Sequence, residues 1–313
     1  MPIIGGAGSV FEPVACWFLA DRPMRRMQIV LVLCLMLGAL AAPEAFAETT
    51  SHAPVKIGYV ADQAPFSSRG PDGIPQGYAI DLCNRIAAGM SPAQPPEYVE
   101  TTLADAFNAV AEHRIDLACG ALTINLARRA LVDFSQPIFL TGASALLRDD
   151  SPSDLRELFF GERPISPPRS PQMRAFATSL IGVHSGSTTE ARLRQAIAEG
   201  AYSASVIDFS KHEEGLVALE TRRIDAYFAD RALLGDLLKK AQSSSDLIIG
   251  RRLLTHESYG IAMRRDDPEL RLRVDRMLSE FYRSDEFAKL LQTYFGSEAP
   301  VIRTEILAQA IPD

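Results

Sequence analysis

One unit of this sequence is written twice. An amphipathic helix over residues 103–113, with Leu103, Phe107 and Val110 at helical spacing, ends in His113-Arg114. It runs into Ile115-Asp116-Leu117-Ala118-Cys119-Gly120. A second helix, over 214–223, ends in Arg222-Arg223 and runs into Ile224-Asp225-Ala226-Tyr227-Phe228-Ala229-Asp230. Helix, Arg-Ile-Asp and a short apolar run recur in the same order, so each run reads as a buried strand with polar residues after it. Such self-similarity predicts two lobes built alike.

The surrounding pattern fixes the class. Residues 55–60 read as a strand, 61–76 as a Pro/Gly/Ser loop, 78–88 as a helix and 97–101 as a strand. Strand, helix, strand, helix, strand predicts parallel βαβ units and an α/β sheet. Residues 137–147 are extended and apolar. Residues 149–180 carry five prolines without lasting period and read as a long surface excursion. Order resumes at 180–183, and 259–263 is the last apolar strand, a return crossing. Asp267-Pro268 opens a helix with Leu270, Val274, Leu278 and Phe281 on one face. A final helix runs over 285–294 and stops at Gly296.

Ligands of open α/β sheets bind beyond the strands' carboxyl ends, so the polar residues there are the candidate site. In the first unit Asn125 is a good N-cap for a short turn holding Arg128, whose guanidinium is a fixed fork for a carboxylate. In the second unit the polar end is Asp230, which either caps the helix that follows or offers an anion to a ligand. Ser187 and Glu190 form a capping box behind Gly186, setting up a helix N-terminus that can receive an anion. Cation and anion from two facing lobes would suit one small zwitterion.

A net charge of −7 and scattered rather than clustered arginine pairs argue against nucleic acid. Arg25-Arg26, the apolar run 29–42 and Ala45-Phe46-Ala47 read as an export signal with its cleavage site. The run is shorter than the roughly 20 residues a bilayer span needs. Residues 1–23 fit no part of such a signal, so translation is expected to start at Met24 or Met27, which N-terminal mapping checks. Cys34 lacks the small residue that precedes a lipid-modified cysteine. Cys83 and Cys119 remain after cleavage, either paired as export permits or buried as small core residues. Two cysteines and five histidines show no metal-ligand spacing, and no metal or cofactor is expected.

Residues 54–298 resemble the periplasmic solute-binding proteins of polar amino-acid ABC transporters, the type II two-lobed binders. The likeness rests on Ala64-Pro65-Phe66 with Gly77-Tyr78-Ala79-Ile80-Asp81-Leu82, on Arg128 with Val132-Asp133-Phe134-Ser135-Gln136-Pro137, on Gly186-Ser187-Thr188, and on Ile224-Asp225-Ala226 ahead of Asp230. It implies two mostly parallel sheets flanked by helices, with a hinge and a ligand cleft between. The expected division is a signal region at 1–47, lobe 1 at 54–142 plus 264–313, and lobe 2 at 143–263. By the resemblance Arg128 binds the ligand's α-carboxylate with help from Ser187 and Thr188. Asp230 holds the α-ammonium with groups at Ala121 and Thr123, and Phe66 and Leu103 are apolar walls. Asn125 stands where the family usually has Thr, and Gln63 where an aromatic commonly stacks on the ligand. Gln63 either bonds a polar ligand group or is an ordinary loop residue; His184 either meets the ligand or is a satisfied structural histidine. The resemblance implies a monomeric, non-enzymatic receptor that delivers an amino acid to a membrane permease. Cyclohexadienyl or arogenate dehydratases on the same fold are the enzymatic alternative.

Overall fold

A computed structural model of the chain describes residues 53–160, 169–200 and 202–312. The export signal, the Met24 and Met27 starts and Cys34 lie outside these residues. Among the described residues no helix is long and apolar enough to cross a membrane.

The chain opens with β1 (Lys56–Tyr59) and a small antiparallel sheet of β2 (Asp62–Gln63), β3 (Ser67–Arg69) and β4 (Pro75–Gln76). The sequence reads as loop there because strands of two or three residues carry no periodicity. Then follow α1 (Tyr78–Met90), β5 (Glu97–Glu100), α2 (Ala106–Ala111), β6 (Leu117–Cys119), α3 (Leu126–Arg129) and β7 (Asp133–Phe134). β8 (Phe139–Thr141) leads out of this lobe. The second lobe holds β9 (Ala143–Arg148), α4 (Ser153–Phe160), α5 (Pro171–Ala177), β10 (Leu180–His184) and α6 (Thr188–Gly200). It continues through β11 (Ser205–Phe209), α7 (His212–Glu220), β12 (Ala226–Asp230), α8 (Arg231–Lys239) and β13 (Leu247–Ile249). β14 (Glu257–Tyr259) returns antiparallel to β8, and β15 (Ala262–Met263) enters the first lobe's sheet. Helices α9 (Pro268–Tyr282), α10 (Asp285–Phe295) and α11 (Ala299–Leu307) pack on that lobe.

The two main sheets run β5-β1-β6-β15-β7 and β11-β10-β12-β9-β13. Both have three parallel strands, then one antiparallel strand that has just crossed from the other lobe. The repeat read in the sequence is reproduced bond for bond. His113 and Arg222 both adopt positive φ, 57° and 60°, between helix and strand. Arg114 and Ile115 N–H turn back to Ala109 O, as Arg223 and Ile224 N–H turn back to Ala218 O. Asp116 and Asp225 accept from the first backbone N–H of the neighbouring strand, at Lys56 (2.9 Å) and Leu180 (2.8 Å). Ile115 and Ile224 then lie over Gly58 and Gly182, where a Cβ would collide with them. Each sheet carries apolar clusters on both faces, which is why its strands are continuous apolar runs rather than alternating ones.

Three expectations are corrected. Residues 149–180 are not simply a surface excursion: α4 and α5 bury Leu155, Leu158, Phe159, Met173 and Phe176 in the second lobe's core, residues 161–168 lying outside the described ones. Prolines hid these helices by bounding them, Pro171 standing in the first turn of α5 behind the Ser170 cap. Lobe 2 does not run to 263, because Ala262–Met263 pairs inside the first sheet. Residues 103–113 yield a helix only at 106–111; Leu103 is buried in the turn before it. The open question of the cysteines closes as a disulfide, Cys83–Cys119, tying α1 to β6.

Candidate functional site

The carboxyl ends of β6, β10 and β12 converge with the β1–β2 turn, and the repeat places a cation on one side and an anion on the other. Asn125 caps α3 by accepting from Arg128 N–H at 2.8 Å, and that short turn aims the Arg128 side chain into the cleft. Its Nη1 donates to Thr123 O at 2.9 Å and its guanidinium lies 4.5 Å above the Phe107 ring. Across the cleft Nη2 reaches Gly186 O at 3.5 Å. Burial lowers the Arg128 pKa, opposed by Glu257, Tyr259 and Asp230, and the group remains a cation throughout.

Facing it is the start of α6. Ser187 Oγ accepts from Glu190 N–H at 3.0 Å while Glu190 accepts from Gly186 N–H at 2.8 Å, a capping box shifted by one residue. Thr188 Oγ1 is buried and makes no hydrogen bond. Gly186, at φ 74°, occupies the left-handed region that this tight entry requires.

Asp230 stands at the N-cap position of α8, yet its side chain makes no capping bond. Tyr259 donates instead to Oδ2, and the buried Oδ1 has no partner. Burial, then the nearby Glu257 carboxylate, push its pKa up to about 7 against the pull of Tyr259 and Arg128. The capping alternative is thereby removed, and a desolvated carboxylate oxygen is left on the cavity wall.

Gln63, Leu103, Ala121, Thr123, Arg128, His184, Ser187, Thr188 and Asp230 all line one small cavity, with about 20 Å³ open to a water-sized sphere. That is room for about one water, so the cavity holds an amino acid only if it widens. Phe66 is the exception and a correction: it is fully buried in an aromatic cluster with Tyr78, Phe139 and Tyr259, beneath the cavity rather than on it. A phenylalanine in a turn between two short strands gives no sequence sign of which side it faces. Gln63 is buried, and its Oε1 takes the Ala121 N–H at 2.9 Å, so the side chain braces the β6 end.

Two residues that matter here were missed in the sequence. Glu257 accepts from Thr123 Oγ1 and from Thr255 Oγ1, both at 2.7 Å, and so lies in the cavity beside Asp230. His212 stacks on His184, ring centroids 4.6 Å apart. Neither residue sits in a motif; the crossover strand and the α7 start bring them in.

Two α/β lobes joined by a crossing pair of strands, with charged residues facing each other at the strand ends, define a two-lobed ligand-binding protein. The family of bacterial extracellular solute-binding proteins, family 3, matches residues 55–297, and the chain belongs to that family. It is similar to the L-glutamate/L-aspartate-binding protein of Pseudomonas aeruginosa, 25% identical over 252 residues, 79% of this chain and 78% of that one. Among solved structures it is similar to a mutant of ArgBP from T. maritima, with TM-score 0.65 and 25% identity over 78% of this chain and 95% of that one. An ancestral amino acid-binding protein described as a precursor of cyclohexadienyl dehydratase shares the fold, with TM-score 0.64 and 24% identity over 77% and 95% of the two chains.

Proposed function

We propose that this chain is an extracytoplasmic receptor that captures an amino acid by closing its lobes and delivers it to a membrane ABC permease. The observation that carries this reading is the unpartnered Asp230 Oδ1 in the same cavity as the Arg128 guanidinium. An α-carboxylate pairs with Arg128, with Ser187 and Thr188 at the α6 N-terminus around it. An α-ammonium pairs with Asp230, while oxygens of Ala121 and Thr123 lie nearby. Because the two charges sit on different lobes, a zwitterion stabilises the closed arrangement over the open one. The chain works as a monomer outside the cytoplasm, exported by its N-terminal signal, and has no catalytic role.

A thermal-shift screen over amino acids, followed by calorimetry, tests this. A ligand at 100 times its Kd adds about 2.7 kcal/mol of stability. Absence of any shift with amino acids or related amine-carboxylates would sink the proposal. The dehydratase alternative draws on the raised Asp230 carboxyl, a group able to donate a proton. Incubation with prephenate or arogenate is expected to yield no product above background; turnover would establish the enzyme instead.

A further inference from the structure

Asp62, His184 and His212 are far apart in sequence, yet one ligand atom from each lies within 4.8 Å of the others. Asp62 comes from β2 of the first lobe; His184 ends β10 and His212 starts α7 in the second. Hydrogen bonds determine which atoms face the gap. His184 Nδ1 lies 3.0 Å from the Ser185 carbonyl oxygen. A carbonyl only accepts, so Nδ1 carries the proton and the neutral ring presents a lone pair at Nε2. That Nε2 is buried and faces Asp62 Oδ2 at 3.3 Å, a contact that is an ion pair only when the ring is protonated.

A lone pair facing a carboxylate oxygen at that distance is repulsive. Something positive belongs between them, either a proton or a metal cation. His212 bears on the choice. Its Nδ1 is 2.9 Å from Tyr227 Oη; with Nδ1 donating to that oxygen, Nε2 is left as the ligand atom of a ring stacked on His184. Each imidazole is thus oriented by an oxygen at Nδ1, the arrangement that holds metal-ligating histidines in place. Asp62 Oδ2 is itself positioned by the His212 backbone N–H at 3.2 Å.

We propose that Asp62, His184 and His212 form a site for one divalent transition-metal ion of the zinc class, held between the lobes. Two imidazole nitrogens and one carboxylate oxygen suit zinc, cobalt or nickel, whereas calcium and magnesium prefer all-oxygen sets. His184 and His212 also line the cavity that holds Arg128 and Asp230. The fourth coordination position therefore opens toward water or a donor atom of the captured solute. Metal and solute both draw the lobes together, so each should tighten the binding of the other.

The test uses the purified chain after chelator treatment, without amino acid, titrated with zinc chloride by calorimetry and with cobalt chloride by absorption. One saturable site per chain, a raised Tm and a four-coordinate cobalt spectrum are expected. Asp62→Asn should weaken zinc binding by at least about tenfold. Tyr227→Phe, which keeps the ring and removes only the oxygen behind His212, should weaken it by about 10–100-fold. Circular dichroism of Tyr227→Phe confirms its fold. Absence of saturable zinc binding by the unaltered chain, or zinc affinity unchanged in both variants, overturns the proposal and leaves a proton shared by Asp62 and His184. The zwitterion reading is judged separately, by amino-acid binding to the metal-free chain.

Discussion

Arg128 and Asp230 are held in opposite ways, and the difference gives two tests. Arg128 is held by Thr123 O and by the Phe107 ring. Arg128→Ala is expected to cost about 2–5 kcal/mol of amino-acid binding, the loss typical of truncating one partner of a buried charge pair. Calorimetry checks it, and near-normal affinity would remove Arg128 from the site. Burial, then the nearby Glu257 carboxylate, raise the folded pKa of Asp230 to about 7, above the ordinary value of 3.8. Folded protein then holds a proton that unfolded protein has lost. The associated stability is complete below pH 3.8 and disappears as pH rises to about 7. Asp230→Asn should therefore raise Tm at pH 8 while abolishing binding; each kcal/mol is worth roughly 2–4 °C in a chain of this size. An ammonium needs the ionised carboxylate, so affinity in the parent protein should climb with pH and level off above about 7. A binding constant flat from about pH 5 to about pH 8 would contradict the assignment.

At the scale of elements, the site depends on short pieces whose own propensity is weak. α3 is a four-residue turn, and its start is fixed by Asn125 Oδ1 on Arg128 N–H. Asn125→Ala should cost about 0.5–2 kcal/mol of stability, and it should weaken ligand binding without removing any ligand contact. Urea unfolding and calorimetry on the same variant separate the two effects. The crossing is just as tight. Gly142, between β8 and β9, lies so close to Thr255 O that an added Cβ meets backbone, not a movable side chain. Gly142→Ala is expected to lose about 1–3 kcal/mol, the usual penalty of overpacking. Gly58→Ala should lose less, since there the obstacle is the flexible end of Ile115. Equal losses in the two variants, measured by urea unfolding, would argue against a rigid crossing.

For the whole molecule, the disulfide and the lobe closure act on different equilibria. Cys83–Cys119 spans 36 positions inside the first lobe and does not touch the cleft. Loop-closure entropy gives it about 3–4 kcal/mol of stability. The Cys83→Ala/Cys119→Ala double variant should therefore unfold at lower urea while ligand affinity stays within about twofold. A crosslink that mainly restricts the unfolded chain leaves the folded cleft, and so its affinity, unchanged. Closure instead relies on contacts that cross the cleft: Arg128 to Gly186 O, Asp62 to the His212 N–H, and Tyr259 to Asp230.

The sequence by itself determined the doubled unit, the α/β class and both charged ends. Periodicity, a cap and the Arg-Ile-Asp repeat are local, and local pattern dictates local structure. It also carried Arg128, since an N-cap and a side chain three residues later lie within one turn. What lies across chain-distant elements was decided only by the tertiary structure. Phe66 is buried rather than lining, because facing depends on what packs against a strand and not on the strand itself. Glu257 reaches the site through the crossover strand, and Asp62 meets His184 and His212 through the approach of two lobes. The Cys83–Cys119 bond needed α1 laid on β6. Each of these is a contact between residues tens of positions apart or more, and such contacts are set by packing and closure, which no spacing along the chain encodes.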